Sequence, residues 1–338
     1  MEEKLIKTTK GMVKGSTKEG VDIYLGIPFG KKPVGEYRFL PPVEPDVWDG
    51  VLDATKWPHN PMQPASNKKK LLNKMPYSEM SEDCLYLNVF VPHGGATNKA
   101  VMVWFYGGGY TAGGCSYDLY NGYNLAKNND VIVVTGNYRV GIFGFLYNAE
   151  INKGNKTNAG VGDAIAILKW VQDNIEAFGG NKDNVTVFGQ SAGSSLINLL
   201  MVSPPAKGLF HAAITQSGSP FNHDEWNIDN DRTEKKCWQY LNKIGIHTTE
   251  ELLNATPEQL LSDKDAYAIV EFCPYIDGYY LPEDLETLFM YRDIIKVPVM
   301  VGLTKDEASV LVNGGDDHGE RGNATAASFE RTVVRKYD

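Results

Sequence analysis

Short β-branched and aromatic runs alternate along this chain with longer stretches whose apolar residues recur every three or four positions. Leu85-Tyr86-Leu87-Asn88-Val89-Phe90-Val91, Ala100 to Tyr106 and Val131 to Tyr138 are continuous apolar runs of strand length, and they predict core strands. From Asn158 to Phe178, Val161, Ile165, Leu168, Val171 and Ile175 line one helical face, and Gly179-Gly180 supplies the stop. Val185 to Phe188, Ala212 to Thr215 and Val297 to Leu303 predict further strands. This alternation predicts an α/β fold: a central, mostly parallel sheet flanked by helices. Residues 222–292 are more polar and helical, with Pro257 and Pro282 as punctuation. They predict a helical insertion over the sheet within a single domain spanning 1–338.

Where the strand Val185–Phe188 meets the next helix stands Gly189-Gln190-Ser191-Ala192-Gly193. A serine between glycines at a strand-to-helix turn is a nucleophile elbow. The turn is too tight for side chains on its inner side, so Gly189, Gly193 and the small Ala192 let strand and helix pass. The serine hydroxyl is lifted above the sheet, beside the positive end of a helix dipole. By itself the pentapeptide occurs by chance; between a strand and a helix it makes Ser191 a candidate nucleophile.

Directly after the strand at 100–106 come Gly107-Gly108-Gly109. Alone, a triple glycine is an ordinary tight turn. At a strand's carboxyl end beside an elbow, its unscreened N–H groups can converge on one anionic atom, as an oxyanion hole requires. Glu307, just past the strand at 297–303, follows the nucleophile in the order expected of a triad acid.

The charge of −9 and pI near 5.3 argue against a nucleic-acid partner, and Lys68-Lys69-Lys70 is a solvated loop tip. No apolar run reaches membrane-spanning length, so no membrane association is expected, and the N-terminus lacks the apolar core of a signal peptide. Four glycosylation sequons, at Asn155, Asn184, Asn254 and Asn323, are no more than chance supplies. Cys84, Cys115, Cys237 and Cys273 show neither metal spacing nor a paired framework, which predicts reduced thiols in a cytoplasmic protein.

With the elbow, the glycine loop and the acid in place, the chain closely resembles the type-B carboxylesterase/lipase family, the carboxylesterase- and cholinesterase-like α/β-hydrolases. The resemblance runs through Gly26-Ile27-Pro28-Phe29, Pro33 to Phe39, Ser81-Glu82-Asp83-Cys84-Leu85-Tyr86-Leu87-Asn88 and Asn137 to Phe145, then Ala177 to Asn181, the elbow, Gln216 to Ser219 and Gly302 to Ser309. It implies an α/β-hydrolase fold and a serine carboxylic-ester hydrolase working through an acyl-enzyme on a small-molecule ester, with no metal or organic cofactor needed. Ser191 matches the family's nucleophile, Glu307 its triad acid, and Gly108, Gly109 and Ala192 its oxyanion-hole residues. Gln190 stands where many members carry Glu. Pro61 stands where secreted members carry the partner of the cysteine matching Cys84, which supports a reduced protein. Lys74 stands where cholinesterases carry a choline-binding Trp, and a cationic side chain is a poor host for quaternary ammonium, so cholinesterase activity is not expected.

The same resemblance covers only the family's N-terminal part, so the domain is expected to be incomplete at its C-terminus and to lack the family's catalytic His. None of the six histidines has the family's His-Gly context at the required distance. His318 is followed by Gly319 but lies eleven positions after Glu307, and it is a solvated loop residue on this reading. Without an imidazole, only the residual contribution of oxyanion hole and binding is expected, roughly 10³–10⁴ over water. A partner polypeptide carrying the missing part is one expected remedy. The rival expectation is a non-catalytic, esterase-like binding or adhesion protein.

Overall fold

A computed structural model describes residues 4–64, 79–93, 97–153, 157–218, 230–291, 294–305 and 307. The chain divides into two units, Met1–Met300 and Val301–Asp338. Lys68–Lys70, Lys74, His223 and His318 lie outside the described residues.

The first unit opens on an antiparallel meander of β1 (Lys4–Lys7), β2 (Met12–Lys18) and β3 (Val21–Pro28), with β4 (Val51–Asp53) parallel along β2. Two-residue strands β5 (Asn60–Pro61) and β6 (Met80–Ser81) pair apart from the main sheet. The core strands are β7 (Tyr86–Pro92), β8 (Lys99–Phe105), β9 (Ile132–Gly136), β10 (Gly180–Gln190) and β11 (Ala212–Gln216). Their order is β1-β2-β3-β7-β9-β8-β10-β11. Pairing is antiparallel from β1 to β9 and parallel from β9 through β8 and β10 to β11. Next to β11 the chain returns at β12 (Val299–Gly302), where the Ala213 N–H donates to the Pro298 carbonyl at 3.0 Å.

Every residue of β9 is buried, and all of β7 but its first, as expected of strands covered on both faces. Val133 and Phe90 pack on one face with Val21, Leu25 and Ala126, the last from α1 (Tyr123–Asn129). Their sequence neighbours Val89 and Val134 point the other way, as alternation requires. There they join the main core with Val103, Val187 and residues of α4 (Ala159–Asn174) and α5 (Ala192–Val202). Between β9 and α4 lie α2 (Gly141–Phe145) and α3 (Ala149–Asn152).

The region at 222–292 contributes α6 (Asn230–Lys243), α7 (Thr249–Asn254), α8 (Pro257–Leu260), α9 (Lys264–Val270) and α10 (Leu285–Met290). Its short helices start on capping side chains: Thr248, Thr256, Asp263 and Asp284 accept from the N–H groups of Glu251, Gln259, Ala266 and Thr287. No helix among the described residues is long and apolar enough to cross a membrane.

Boundaries differ from the apolar runs for local reasons. The run 131–138 stops being strand at Gly136 because Asn137 and Tyr138 turn their polar groups to loop partners. The helix predicted to Phe178 tightens into 3₁₀ geometry over Ile175–Phe178, ended by Gly179 at φ 84°. Val297 to Leu303 narrows to Val299–Gly302.

One ion pair inside the core ties α4 to the end of β9. Asp163, fully buried, accepts from the Arg139 backbone N–H at 2.9 Å and from Nε and Nη2 at 2.8 Å each. Removing the carboxylate strands a buried guanidinium without its counter-charge. Asp163→Ala is expected to lower the unfolding free energy by about 3–5 kcal/mol, read from urea denaturation.

Candidate active site

β8 and β10 are parallel neighbours, with Phe105 opposite Gly189. Two residues past that pairing on each strand stand Gly107 and Ser191, so the glycine loop and the elbow serine leave the sheet at the same level. A Cβ built on Gly107 would lie 3.0 Å from Ser191 Cβ and 2.6 Å from the Gln190 carbonyl oxygen. Register places the two segments side by side.

Ser191 has φ 55° and ψ −127° and caps α5 as a residue of neither strand nor helix. For a residue with a Cβ this conformation costs on the order of 1–3 kcal/mol. Its surroundings hold it there. The Ser191 N–H donates to the Gln216 carbonyl at 2.9 Å, and the Ser191 carbonyl accepts from Ser195 N–H at 3.0 Å. All eleven residues of α5 are buried, and each large apolar side chain among them contributes about 1.5–3 kcal/mol of transfer free energy.

Glycine is required on the inner side of this turn. A Cβ on Gly193 would come within 2.1 Å of the Phe105 carbonyl oxygen, and one on Gly189 within 2.8 Å of the Gly193 backbone. Gly218, in the loop after β11, passes equally close: its Cβ would meet the Ser191 carbonyl oxygen at 2.5 Å. Ser191 itself is half-buried, and its hydroxyl has no hydrogen-bond partner among the described residues.

The glycine loop is pinned by its carbonyls. Gly108 O accepts from Thr111 N–H and Ala112 N–H, both at 3.1 Å, and Tyr110 O accepts from Gly141 N–H at 2.6 Å. Gly108 and Gly109 take φ of 126° and 60°, the left-handed region where glycine is favoured, and both are exposed. Their N–H groups have no acceptor among the described residues. The N–H of Ala192, at the first turn of α5, also has no acceptor among the described residues.

Glu307 belongs to the second unit. It is exposed, and its carboxylate accepts from the Thr304 N–H at 2.7 Å within the turn that follows β12. The structure therefore assembles Ser191, Ala192 and Gly107–Gly109 in one unit and describes Glu307 in the other.

Three described histidines are engaged elsewhere. His93 Nδ1 is 3.2 Å from Asp22, and His247 Nδ1 is 2.8 Å from Asn242 Oδ1. His211 Nδ1 accepts from the Val185 N–H at 3.3 Å, six strand residues and about 20 Å before Ser191. His59 is exposed, and its carbonyl accepts from Asn137 Nδ2 at 2.8 Å.

The Carboxylesterase family model matches residues 2–337. The chain belongs to the carboxylesterase family. Among relatives, it is 39% identical over 330 residues to the para-nitrobenzyl esterase of Bacillus subtilis (strain 168), covering 94% of this chain and 65% of that protein. It is 36% identical over 318 residues to the pyrethroid hydrolase Ces2a of Mus musculus, covering 89% of this chain and 55% of that protein. Among solved structures, a PNB esterase superposes with TM-score 0.84 at 38% identity, over 94% of this chain and 66% of its own. The Geobacillus stearothermophilus carboxylesterase EST55 gives 0.84 at 34% identity, over 99% and 67%. The fold is thus that of the α/β-hydrolases, and the chain spans about two thirds or less of the length of these two curated relatives.

One cleft lies away from the serine. Its volume is about 240 Å³, and Lys10, Glu44, Lys169, Trp170, Asp173 and Tyr279 are among its walls; neither Ser191 nor any residue of the glycine loop lines it. Its charges are mixed, with Lys10 paired to Glu44 at 2.8 Å.

Sequence reasoning quoted Gln216, Gly218 and Tyr138 only within motifs of the resemblance, and Tyr106 only as a strand residue, and gave none of them a part in the site. Two tyrosines just past neighbouring strand ends were the available signal, because a buried phenol needs a partner.

The strain at Ser191 is measurable. Ser191→Gly is expected to be more stable than Ser191→Ala by about 1 kcal/mol in urea unfolding, since only glycine adopts φ 55° there without steric cost.

Proposed function

We propose that this chain carries the nucleophile and the oxyanion-binding groups of a serine carboxylic-ester hydrolase acting on small-molecule esters. The names of two relatives, para-nitrobenzyl esterase and pyrethroid hydrolase, support that substrate class. The placement of Ser191 carries the reading: a strained, half-buried serine whose hydroxyl has no partner among the described residues, level with the free N–H groups of Gly108 and Gly109.

On this proposal Ser191 Oγ attacks the ester carbonyl carbon and loses its proton to an imidazole. The carbonyl π electrons move to oxygen, and the resulting oxyanion is held by the N–H groups of Gly108, Gly109 and Ala192, each worth about 3 kcal/mol in such sites. Collapse of the tetrahedral adduct expels the alkoxide, which takes the imidazolium proton, and leaves the acyl group on Ser191. Water, deprotonated by the same imidazole, then releases the acid. Glu307 orients the imidazole and stabilises its charged form. The imidazole itself is not assigned among the described residues. A polypeptide supplying the remaining length of the relatives would bring it.

The buried thiols of Cys84, Cys115 and Cys237, in no disulfide among the described residues, support a cytoplasmic location. Burial pushes the thiols of Cys115 and Cys237 up to about 12, so both stay protonated and inert at neutral pH.

p-Nitrophenyl acetate turnover and fluorophosphonate labelling test the proposal. With the polypeptide that supplies the imidazole present, Ser191→Ala is expected to abolish labelling and lower turnover at least about 100-fold. Equal turnover by the two proteins would exclude Ser191 as the nucleophile. Failure of the folded wild type to label even with the imidazole-supplying polypeptide present would favour the non-catalytic binding protein instead.

A further inference from the structure

Behind the glycine loop, Tyr106 and Tyr138 form a reciprocal clasp. Both are fully buried, and their rings stack 4.3 Å apart at 12°. The Tyr138 hydroxyl donates to the Tyr106 carbonyl at 2.6 Å. In return, the Tyr106 hydroxyl donates to the Tyr138 carbonyl and accepts from the Tyr138 N–H at 3.0 Å. Burial holds both phenols well above their usual range, so both remain neutral donors.

The two hydroxyls act on different backbones. That of Tyr106 grips the segment after β9, whereas that of Tyr138 grips the carbonyl immediately before Gly107. A peptide unit is planar and trans, so a fixed carbonyl aims the following N–H the opposite way. Fixing Tyr106 O therefore fixes the plane from which the loop departs, and fixing Gly108 O on Thr111 and Ala112 aims Gly109 N–H away from them. The Tyr106 carbonyl is also crowded from the elbow side, where a Cβ on Gly193 would lie 2.6 Å from it. It sits between α5 and the Tyr138 phenol with little freedom.

We propose that Tyr138 is a positioning residue for the oxyanion-binding loop: its hydroxyl, through the Tyr106 carbonyl, sets the direction in which Gly107–Gly109 present their N–H groups. The proposal rests on the esterase reading for what the loop binds, but the clasp can be tested without turnover.

The discriminating experiment compares Tyr138→Phe with Tyr106→Phe. Both keep the stacked ring, and Tyr106→Phe deletes more hydrogen bonds, so a purely structural pair predicts at least equal damage from it. In native-state amide exchange, Tyr138→Phe is expected to speed exchange in residues 106–113 about 10-fold, and Tyr106→Phe to leave those residues within about 3-fold of wild type. In parallel, Tyr138→Phe should slow fluorophosphonate labelling and lower kcat about 10- to 100-fold with KM nearly unchanged, because the loop binds charge that develops only after attack. 4-Aminophenylalanine at position 138 restores a donor and should recover both readouts. 4-Fluorophenylalanine there fills the phenol's volume without donating and replaces the Phe variant if that fails to fold. Equal effects of the two tyrosine variants, or unchanged loop exchange in Tyr138→Phe, overturn the proposal. Should the wild type itself fail to label, the esterase reading fails, and the exchange comparison alone decides the clasp.

Discussion

The site depends on helix α5 crossing the end of strand β8 at backbone distance. With a Cβ on Gly193 falling 2.1 Å from the Phe105 carbonyl oxygen, the first turn of the helix touches the neighbouring strand with nothing between. That approach obliges the chain to reverse within one residue after β10, and the residue that reverses is Ser191. Its conformation is a consequence of the crossing. Parallel register then does the rest, because Gly189 opposite Phe105 brings the glycine loop beside the serine without any dedicated contact between their side chains.

Two chemically opposite needs meet at this corner. The core around α5 is closed: every residue of the helix is buried, and Ser194 Oγ, deep in it, reaches the Gly218 carbonyl at 3.2 Å. The loop and the serine must nevertheless keep donors and a hydroxyl unpaired. The conflict is resolved by direction. The carbonyls of Tyr106, Gly108 and Tyr110 are bonded back into the protein, whereas Gly108 and Gly109 are exposed and their N–H groups have no acceptor among the described residues. On the proposed esterase reading, pre-oriented dipoles of this kind would need no rearrangement when charge appears.

The core strands and the elbow were legible because they are dense local signals: Val185 to Phe188 followed by Gly-Gln-Ser-Ala-Gly contains both the period and the turn chemistry. The N-terminal meander was not. Strand β2 reads Met-Val-Lys-Gly-Ser-Thr-Lys, and its burial alternates around polar residues, so its strand character comes from pairing with β1 and β3. Among site residues, Gly107–Gly109 and Ser191 stood out by composition. Gln216, Gly218 and Tyr138 were visible only as members of the family motifs and without a role, because each acts through one backbone hydrogen bond or one close approach across the sheet, which local pattern does not reveal. Glu307 was placed by order along the chain, an inference of a different kind, and in its own unit it accepts from the Thr304 N–H.

The stretch Asn137–Ile142 shows how the loop's placement is connected to the stability of the whole unit. Asn137 accepts from the Cys115 N–H at 2.8 Å and donates to the carbonyls of Cys84 and His59 at 2.9 and 2.8 Å. Arg139 is locked to Asp163 on α4 and donates to the Leu40 carbonyl at 2.8 Å. Gly141 donates to Tyr110, while the next N–H, of Ile142, donates to the Tyr267 hydroxyl of α9 at 2.7 Å. Gly141 takes φ 57°, and a Cβ there would sit 1.7 Å from that hydroxyl, so the segment threads between the glycine loop and the helical region with no room for a side chain. Tyr138 lies in the middle of this run, flanked by residues anchored in the core. A hydroxyl so placed transmits the rigidity of the buried Arg139–Asp163 pair to the Tyr106 carbonyl, and a loop with three glycines in succession has few other ways to become rigid.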